Sequence, residues 1–149
     1  MMINKATHIY FLLVLSLLLG SANTKAQNIE VTFSGIRSSA GQIRLEVFVD
    51  EEGFEKEKGI MIKYFKKIKL VKGEMNVKLD LPPGTYGLAL LDDENNDDKM
   101  NYSFIGLPKE GFGFSNYYLS GLFKPKFEVF KFTVVKGQNQ KILMKIRYM

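Results

Sequence analysis

Residues 81–91 read LPPGTYGLALL and join a tight turn to a run of mostly apolar side chains. Pro82, Pro83 and Gly84 predict the turn, because two prolines and a glycine interrupt regular structure. The following TYGLALL is typical of a central strand that is covered on both of its faces. We therefore expect a β-sheet with residues 85–91 near its middle.

The segments before it show the two-residue alternation of half-buried strands. Ile29, Val31 and Phe33 alternate with polar neighbours, and residues 35–41 read as a loop. Residues 42–50, QIRLEVFVD, repeat the alternation with charged side chains on the opposite face. The apolar positions of that segment are Ile43, Leu45, Val47 and Val49.

Residues 53–81 give a less regular pattern. Residues 66–81, KKIKLVKGEMNVKLDL, predict two strands joined near Gly73, with Lys67 and Lys69 on the face turned to solvent. In residues 53–68, Phe54, Lys58 and Ile62 fall at four-residue spacing, which allows either a short helix or an irregular crossover.

The last third of the chain ends in two more strand patterns. Residues 126–135, KFEVFKFTVV, and residues 141–149, KILMKIRYM, predict a final pair joined around Gly137. About seven or eight short strands separated by turns predict an all-β fold, an antiparallel β-sandwich. A single domain over residues 27–149 accommodates them.

The first residues resemble a leader rather than part of this domain. Lys5 precedes an apolar run at residues 9–19, IYFLLVLSLLL, and small side chains stand at Thr24 and Ala26. These features predict a signal peptide over residues 1–26, cleaved before Gln27. The alternative is an uncleaved membrane anchor, but the apolar run falls short of the roughly 20 residues that a spanning helix needs.

Export has consequences for location and partners. The mature chain is expected in the periplasm or outside the cell, without a membrane span once the leader is removed. Lysines and glutamates are mixed between residues 51 and 72, so they do not form a uniformly basic surface. We therefore predict no nucleic-acid binding, and carbohydrate or another envelope component is the expected kind of partner.

Residue types that are missing exclude several classes of site. The chain has no Cys and no Trp, and its one His, His8, lies in the predicted leader. Disulfides, and zinc, copper or iron sites built on imidazole or thiolate, are thereby excluded from the mature chain. Ser-His-Asp and Cys-His catalytic groups are excluded as well. Any metal bound to the mature chain must accept oxygen ligands.

Oxygen ligands are concentrated in one loop. Residues 92–98, DDENNDD, contain five acidic side chains. Alternate positions from Asp93 offer a set of oxygens with the spacing of a calcium-binding loop. The set is Asp93, Asn95, Asp97, the Lys99 backbone carbonyl and Asn101. The alternative interpretation is a solvated turn, whose charges are screened by water.

An EF-hand calcium loop differs from this one at two places. It has Gly at the sixth position and Glu at the twelfth, where this chain has Asp98 and Phe104. Asp tolerates the left-handed backbone of the sixth position at some cost. The missing carboxylate is expected from Asp92 or Glu110.

Residues 81–116 also resemble a known family. The LPPGTY turn and strand, an acidic loop and the segment GLPKEGFGFSN (residues 106–116) resemble the secreted bacterial domain of unknown function 2141. LPPGTY is also similar to the element of transthyretin-like and carboxypeptidase regulatory-like domains, which implies an immunoglobulin-like sandwich. The resemblance implies no known activity. Residues 96–98 read NDD where the family often has Gly-Asn-Gly.

Residues 102–123 offer a second candidate site, rich in aromatic and glycine residues. Exposed rings there would stack on sugars or enclose an apolar ligand, whereas buried rings would cover the core. The expected function is therefore an exported binding or structural module stabilised by calcium. The alternative is a carbohydrate- or lipid-recognition domain that uses residues 102–123. A hydrolase using paired carboxylates such as Asp93 and Glu110 ranks third, so we predict that the protein is not an enzyme.

Overall fold

Eight strands form two sheets in the computed structural model, which describes residues 26–149. The strands are β1 (Gln27–Ser34), β2 (Gln42–Phe48), β3 (Met61–Lys66), β4 (Glu74–Leu81), β5 (Gly84–Asp93), β6 (Gly111–Phe114), β7 (Phe132–Val134) and β8 (Gln140–Lys145). Apolar side chains from both sheets meet in one buried cluster. The predicted all-β sandwich is confirmed.

The two sheets differ in how their strands run. The smaller sheet has the order β4-β1-β8, in which β1 is antiparallel to β4 and parallel to β8. The larger sheet has the order β3-β2-β5-β6, and β7 pairs with the start of β5. Every pair in the larger sheet is antiparallel. The β1–β8 pair is therefore the departure from the predicted antiparallel arrangement.

Strand alternation places the main core between the sheets. Val31 and Phe33 of β1 face Leu45 and Val47 of β2 and Leu88 of β5, and all five side chains are fully buried. Removal of this apolar surface from water stabilises the fold by about 25 cal/mol per Å² buried. The predicted alternation is confirmed in β1, and the predicted core residues Ile43, Leu45 and Val47 of β2 are buried. On the opposite face of β2, however, Glu46 and Phe48 are buried as well, and Val49 lies beyond the end of the strand and is exposed.

A second apolar cluster covers the outer face of the larger sheet. Helix α1 (Glu51–Glu55) and the long crossover between β6 and β7 pack on this face. Asp50 caps α1 by accepting a 2.7 Å hydrogen bond from the Gly53 N–H. The cluster consists of Phe48, Phe54, Phe112, Phe114, Leu119, Phe127 and Phe130. This second cluster covers the outer face of β5, and the main core covers its inner face. β5 is therefore apolar on both faces, as its sequence predicts.

The predicted strand at residues 66–72 is wrong. Lys67–Lys69 form a 3-10 helix, and the strand before it is β3. In that 3-10 helix Ile68 is exposed and Lys67 is buried, opposite to the prediction. The ion pair between Lys67 and the buried carboxylate of Asp92 explains both differences from the prediction. Because Lys67 is directed inward, the next residue, Ile68, is directed towards solvent.

The predicted final pair of strands is also wrong. β7 joins β5 in the larger sheet and β8 joins β1 in the smaller sheet, so the connection through Gly137 crosses from one sheet to the other. The free edge of β1 provides the hydrogen-bonding partner for β8. Residues 53–68 resolve into the end of α1 and the edge strand β3, so a short helix is present and is followed by a strand.

The predicted signal peptide, residues 1–26, lies outside the described residues except for Ala26. All the strands and both apolar clusters lie within residues 27–149. None of the helices in residues 26–149 is long and apolar enough to cross a membrane.

Candidate metal centre

Strand β5 ends in two consecutive buried carboxylates that point to opposite faces of the sheet. Asp92 follows Leu88 and Leu90 on the core side, and Asp93 follows Leu91 on the outer side, as the two-residue period of a strand requires. Both carboxylates are fully buried. A buried carboxylate needs a cation or hydrogen-bond donors to replace the water it has lost. Asp92 and Asp93 obtain these partners in different ways.

Asp92 is paired within the protein core. Its carboxylate forms an ion pair with the buried ammonium of Lys67 and accepts a hydrogen bond from the Tyr148 hydroxyl. Lys67 also donates to the Ala40 carbonyl. Burial, followed by the hydrogen bond to Asp92, raises the pKa of Tyr148. Asp92, named above as a possible extra ligand, thus lies on the side of the sheet away from Asp93.

Asp93 organises the start of the acidic loop. Its Oδ1 accepts a 3.1 Å hydrogen bond from the Asp97 N–H, and its Oδ2 accepts one of 3.2 Å from the Asp98 N–H. Gln42 of the neighbouring strand donates its side-chain amide to Oδ2 at 3.0 Å. The chain therefore folds back over Asp93 and brings residues 95–98 to its carboxylate.

The alternate residues of the loop contact one another. Asn95 donates its side-chain amide to Asn101 Oδ1 at 2.6 Å, and Asn101 donates to Asp97 Oδ2 at 2.8 Å. The Lys99 N–H donates to Asp97 Oδ1 at 3.2 Å. The structure therefore brings Asp93, Asn95, Asp97 and Asn101 together and makes Lys99 part of the same turn.

Left-handed backbone makes the tight turn possible. Asn96 has φ of 58° and Asp98 has φ of 64°. Asp98 occupies the sixth position counted from Asp93, where an EF-hand loop has Gly. Asp and Asn adopt this conformation more readily than other side chains do.

Glu110 approaches from the start of β6 and closes the loop. Its Oε1 accepts from the Glu94 N–H and its Oε2 from the Asn101 N–H, both at 3.1 Å. Carboxylate oxygens of Asp93, Asp97 and Glu110 lie within 4.8 Å of one another. Burial raises the pKa of Glu110, and the charges of Asp93 and Asp97 raise it further. Of the two extra ligands considered above, Glu110 is the one beside the loop.

The other acidic side chains nearby have cationic partners. Glu94 pairs with Arg37, which lowers the pKa of Glu94 through the hydrogen bonds between them. Asp98 pairs with Arg44 at 3.0 Å and accepts from the Tyr64 hydroxyl. Among residues 26–149, Asp93, Asp97 and Glu110 form no salt bridge, so three carboxylates are concentrated without an ion-paired cation.

Gly41 packs directly against this loop. A Cβ at Gly41 would lie 1.9 Å from the Asp93 carbonyl oxygen and 2.6 Å from the Glu94 Cα, and its φ is +68°. Only glycine fits both the left-handed backbone and this close approach. The loop is therefore held by the turn before β2 as well as by its own hydrogen bonds.

Rings of the aromatic segment divide into two groups. Phe112 and Phe114 are buried in the outer cluster, whereas Tyr102, Phe104 and Phe123 are exposed. A cleft of about 430 Å³ lies over the outer face. Its lining includes Asp98, Met100, Leu107, Phe112, Leu122 and Lys124. The segment thus covers a core and also carries exposed side chains.

Sequence patterns missed several residues that support the site. Gln42 and Lys67 fall in segments that predict ordinary strands, and neither position carries a motif. Gly41 gave the one usable signal, because a glycine at the end of a loop permits a close approach of two backbones. Residues that act through tertiary contact leave no spacing to detect.

Comparison with known proteins places the chain in a family. Residues 31–143 match the family described as uncharacterized protein conserved in bacteria (DUF2141). No curated protein and no solved structure matches the chain significantly. The matched residues include six complete strands, parts of β1 and β8, and the entire acidic loop. The chain therefore belongs to this family of bacterial proteins, DUF2141.

Proposed function

We propose that the protein is an exported β-sandwich module with a binding or structural role, stabilised by calcium at the acidic loop. The observation that carries the proposal is the group of three neighbouring carboxylates without a cationic partner, Asp93, Asp97 and Glu110. Like charges held this close repel one another, and a bound cation offsets that repulsion. We propose no catalytic role.

Calcium suits the ligands that the loop presents. Two oxygens bound to one calcium ion can be up to about 5 Å apart, because each lies 2.3–2.6 Å from the ion, and the carboxylate oxygens here fall within that range. Side-chain oxygens of Asn95 and Asn101 and the Lys99 carbonyl would complete the set. Magnesium demands a smaller octahedral shell and should stabilise the loop less.

The LPPGTY element supports a relationship to transthyretin-like domains. The Tyr86 hydroxyl donates a 3.0 Å hydrogen bond to the Pro82 carbonyl, across the turn that opens β5. A tyrosine that bonds back to the chain a few residues upstream is a feature of immunoglobulin-like sandwiches. We infer that this turn fixes where β5 enters the larger sheet.

Calcium is expected to raise the melting temperature of the protein. An ion that binds only the folded state stabilises it by about 2.7 kcal/mol when its free concentration is a hundredfold above the dissociation constant. For a domain of this size the shift should be roughly 10 °C. Differential scanning calorimetry with millimolar calcium and with chelator tests this.

Two variants separate calcium binding from a general effect of charge. Asp93→Asn/Asp97→Asn should abolish the calcium shift while keeping a carbonyl oxygen at each position. Glu74→Gln/Asp80→Asn changes the net charge equally at exposed sites on β4 and should keep the shift. A melting temperature that is the same in calcium and in chelator for the unaltered protein would exclude the calcium site.

Export is expected to leave a mature chain that begins at Gln27. The residues before it carry the basic start, apolar run and small side chains of a signal peptide. Amino-terminal sequencing of protein recovered from the cell envelope or medium measures this. Recovery of the chain with Met1 still present would contradict the prediction.

A further inference from the structure

Two loops beside the cleft end in exposed apolar side chains. The first loop, residues 102–108, carries Phe104 and Ile105, and the second, residues 119–124, carries Leu122 and Phe123. Phe104 is fully exposed and Phe123 is 86% exposed. We call these four side chains the apolar tips. Single exposed apolar residues are common, but four on neighbouring loops indicate a surface that another molecule covers.

Part of the backbone of both loops is paired within the protein. In the first loop the Gly106 N–H donates to the Ser103 carbonyl at 2.9 Å, and the Leu107 N–H donates to Ser103 Oγ at 3.0 Å. In the second loop Arg147 donates to the carbonyls of Leu119 and Gly121. Backbone groups that are already paired can enter an apolar phase at little cost.

The tips protrude and do not form a flat patch. A Cβ added at Gly106 or Gly121 would meet no atom within 4 Å, so both loops stand in open space. Leu107 and Leu122 line the same cleft, which separates the two loops. A stable protein–protein interface requires a contiguous, well-packed surface of about 800 Å² on each partner. Separated tips fit a deformable surface better.

Charge around the tips favours an anionic surface. From Lys99 to Lys126 the chain has four lysines and one acidic residue, Glu110, which is buried. The cleft itself is balanced, because Arg44, Lys99 and Lys124 line it together with Glu46, Glu57 and Asp98. The excess positive charge is at Lys109 and Lys126, which are exposed shortly after the apolar residues of each loop and form no salt bridge within residues 26–149. Basic side chains beside apolar ones attract anionic lipid headgroups.

We propose that the apolar tips insert into the surface of a bilayer that contains anionic phospholipid. Phe104, Ile105, Leu122 and Phe123 reach the boundary between headgroups and acyl chains, and Lys109 and Lys126 contact the headgroups. The proposed membrane surface includes none of the candidate metal carboxylates, Asp93, Asp97 and Glu110. This proposal therefore does not rest on calcium binding.

Flotation with vesicles of phosphatidylglycerol tests the insertion. The chain from Gln27 onward, which contains both sheets and both clusters, should float with the vesicles. Phe104→Ser/Phe123→Ser should reduce the partition coefficient about a hundredfold, because each large apolar side chain withdrawn from the bilayer is worth roughly tenfold. Partition into neutral phosphatidylcholine vesicles should be weaker.

Ile68→Ser/Val71→Ser is the matched control. Ile68 is 84% exposed and Val71 is 66% exposed, and neither lines the cleft beside the tips. This variant should float as the unaltered protein does. The proposal fails if the unaltered protein does not float, if the Phe104/Phe123 variant floats equally well, or if the control is lost equally.

A second copy of the chain is the competing occupant of the tips. Sedimentation without vesicles distinguishes it, because the membrane proposal predicts the same mass for the unaltered protein and the Phe104→Ser/Phe123→Ser variant. A dimer that this variant dissociates would overturn the proposal. Calcium binding is measured separately, by melting without lipid, so failure of one proposal leaves the other unaffected.

Discussion

Lys67→Met is expected to lower the free energy of unfolding by about 3–5 kcal/mol, the usual cost of leaving one charge of a buried pair without its partner. The ammonium of Lys67 and the carboxylate of Asp92 are both almost completely shielded from solvent. Methionine has a similar length and keeps the apolar contacts, so the loss reports the charge. Equilibrium unfolding in urea measures the change.

Lys69→Met is the control for this prediction. Lys69 lies two residues away in the same 3-10 helix and is exposed, so its replacement should change stability by less than about 0.5 kcal/mol. Lys67→Met/Asp92→Leu should recover much of the loss, because replacing both members of a buried pair with apolar side chains is often neutral. Equal effects of the two single lysine variants would contradict the importance of the buried pair.

Phe130→Ala is expected to cost about 3–5 kcal/mol, as large-to-small substitutions of buried aromatic residues do. The ring of Phe130 is 1% exposed and lies 4.8 Å from that of Phe54 and 5.2 Å from that of Phe114, measured between centroids. It also lies over Gly87 of β5, where a Cβ would be 2.5 Å from the ring. Unfolding in urea again measures the loss.

Phe123→Ala serves as the control for Phe130→Ala. It removes the same side chain from the same crossover at an exposed position and should change stability by less than about 0.5 kcal/mol. If both variants lose little stability, the crossover does not pack on the outer face in solution. The comparison therefore tests whether the second cluster contributes to the fold.

The sandwich could be predicted because its inner strands show clear patterns. β1, β2 and β4 alternate apolar and polar side chains, and β5 is apolar on both faces because a cluster covers each face. β3 was missed because it is an edge strand whose side chains are mostly exposed, so no buried face imposes alternation. Local patterns also could not show that β7 and β8 belong to different sheets, since both pair with strands far away in sequence.

The candidate site also has some residues that could be predicted from the sequence and others that could not. The spacing of Asp93, Asn95, Asp97 and Asn101 could be recognised because one short turn gathers them. Glu110 was one of two options, and the choice depended on β6 returning beside β5. The outward pairing of Glu94 and Asp98 with arginines was not visible at all, because Arg37 and Arg44 lie more than fifty residues earlier in the chain.

The parallel pairing of β1 with β8 also governs the order in which the domain can fold. β1 is the central strand of its sheet, but one of its two neighbours, β8, is synthesised after all the other described strands. Until β8 arrives, β1 presents a row of unpaired N–H and C=O groups and Val31 and Phe33 lack part of their cover. Contacts of such long sequence separation form slowly. A nascent chain that lacks β8 is therefore more vulnerable to aggregation and proteolysis than one in which β8 has paired with β1.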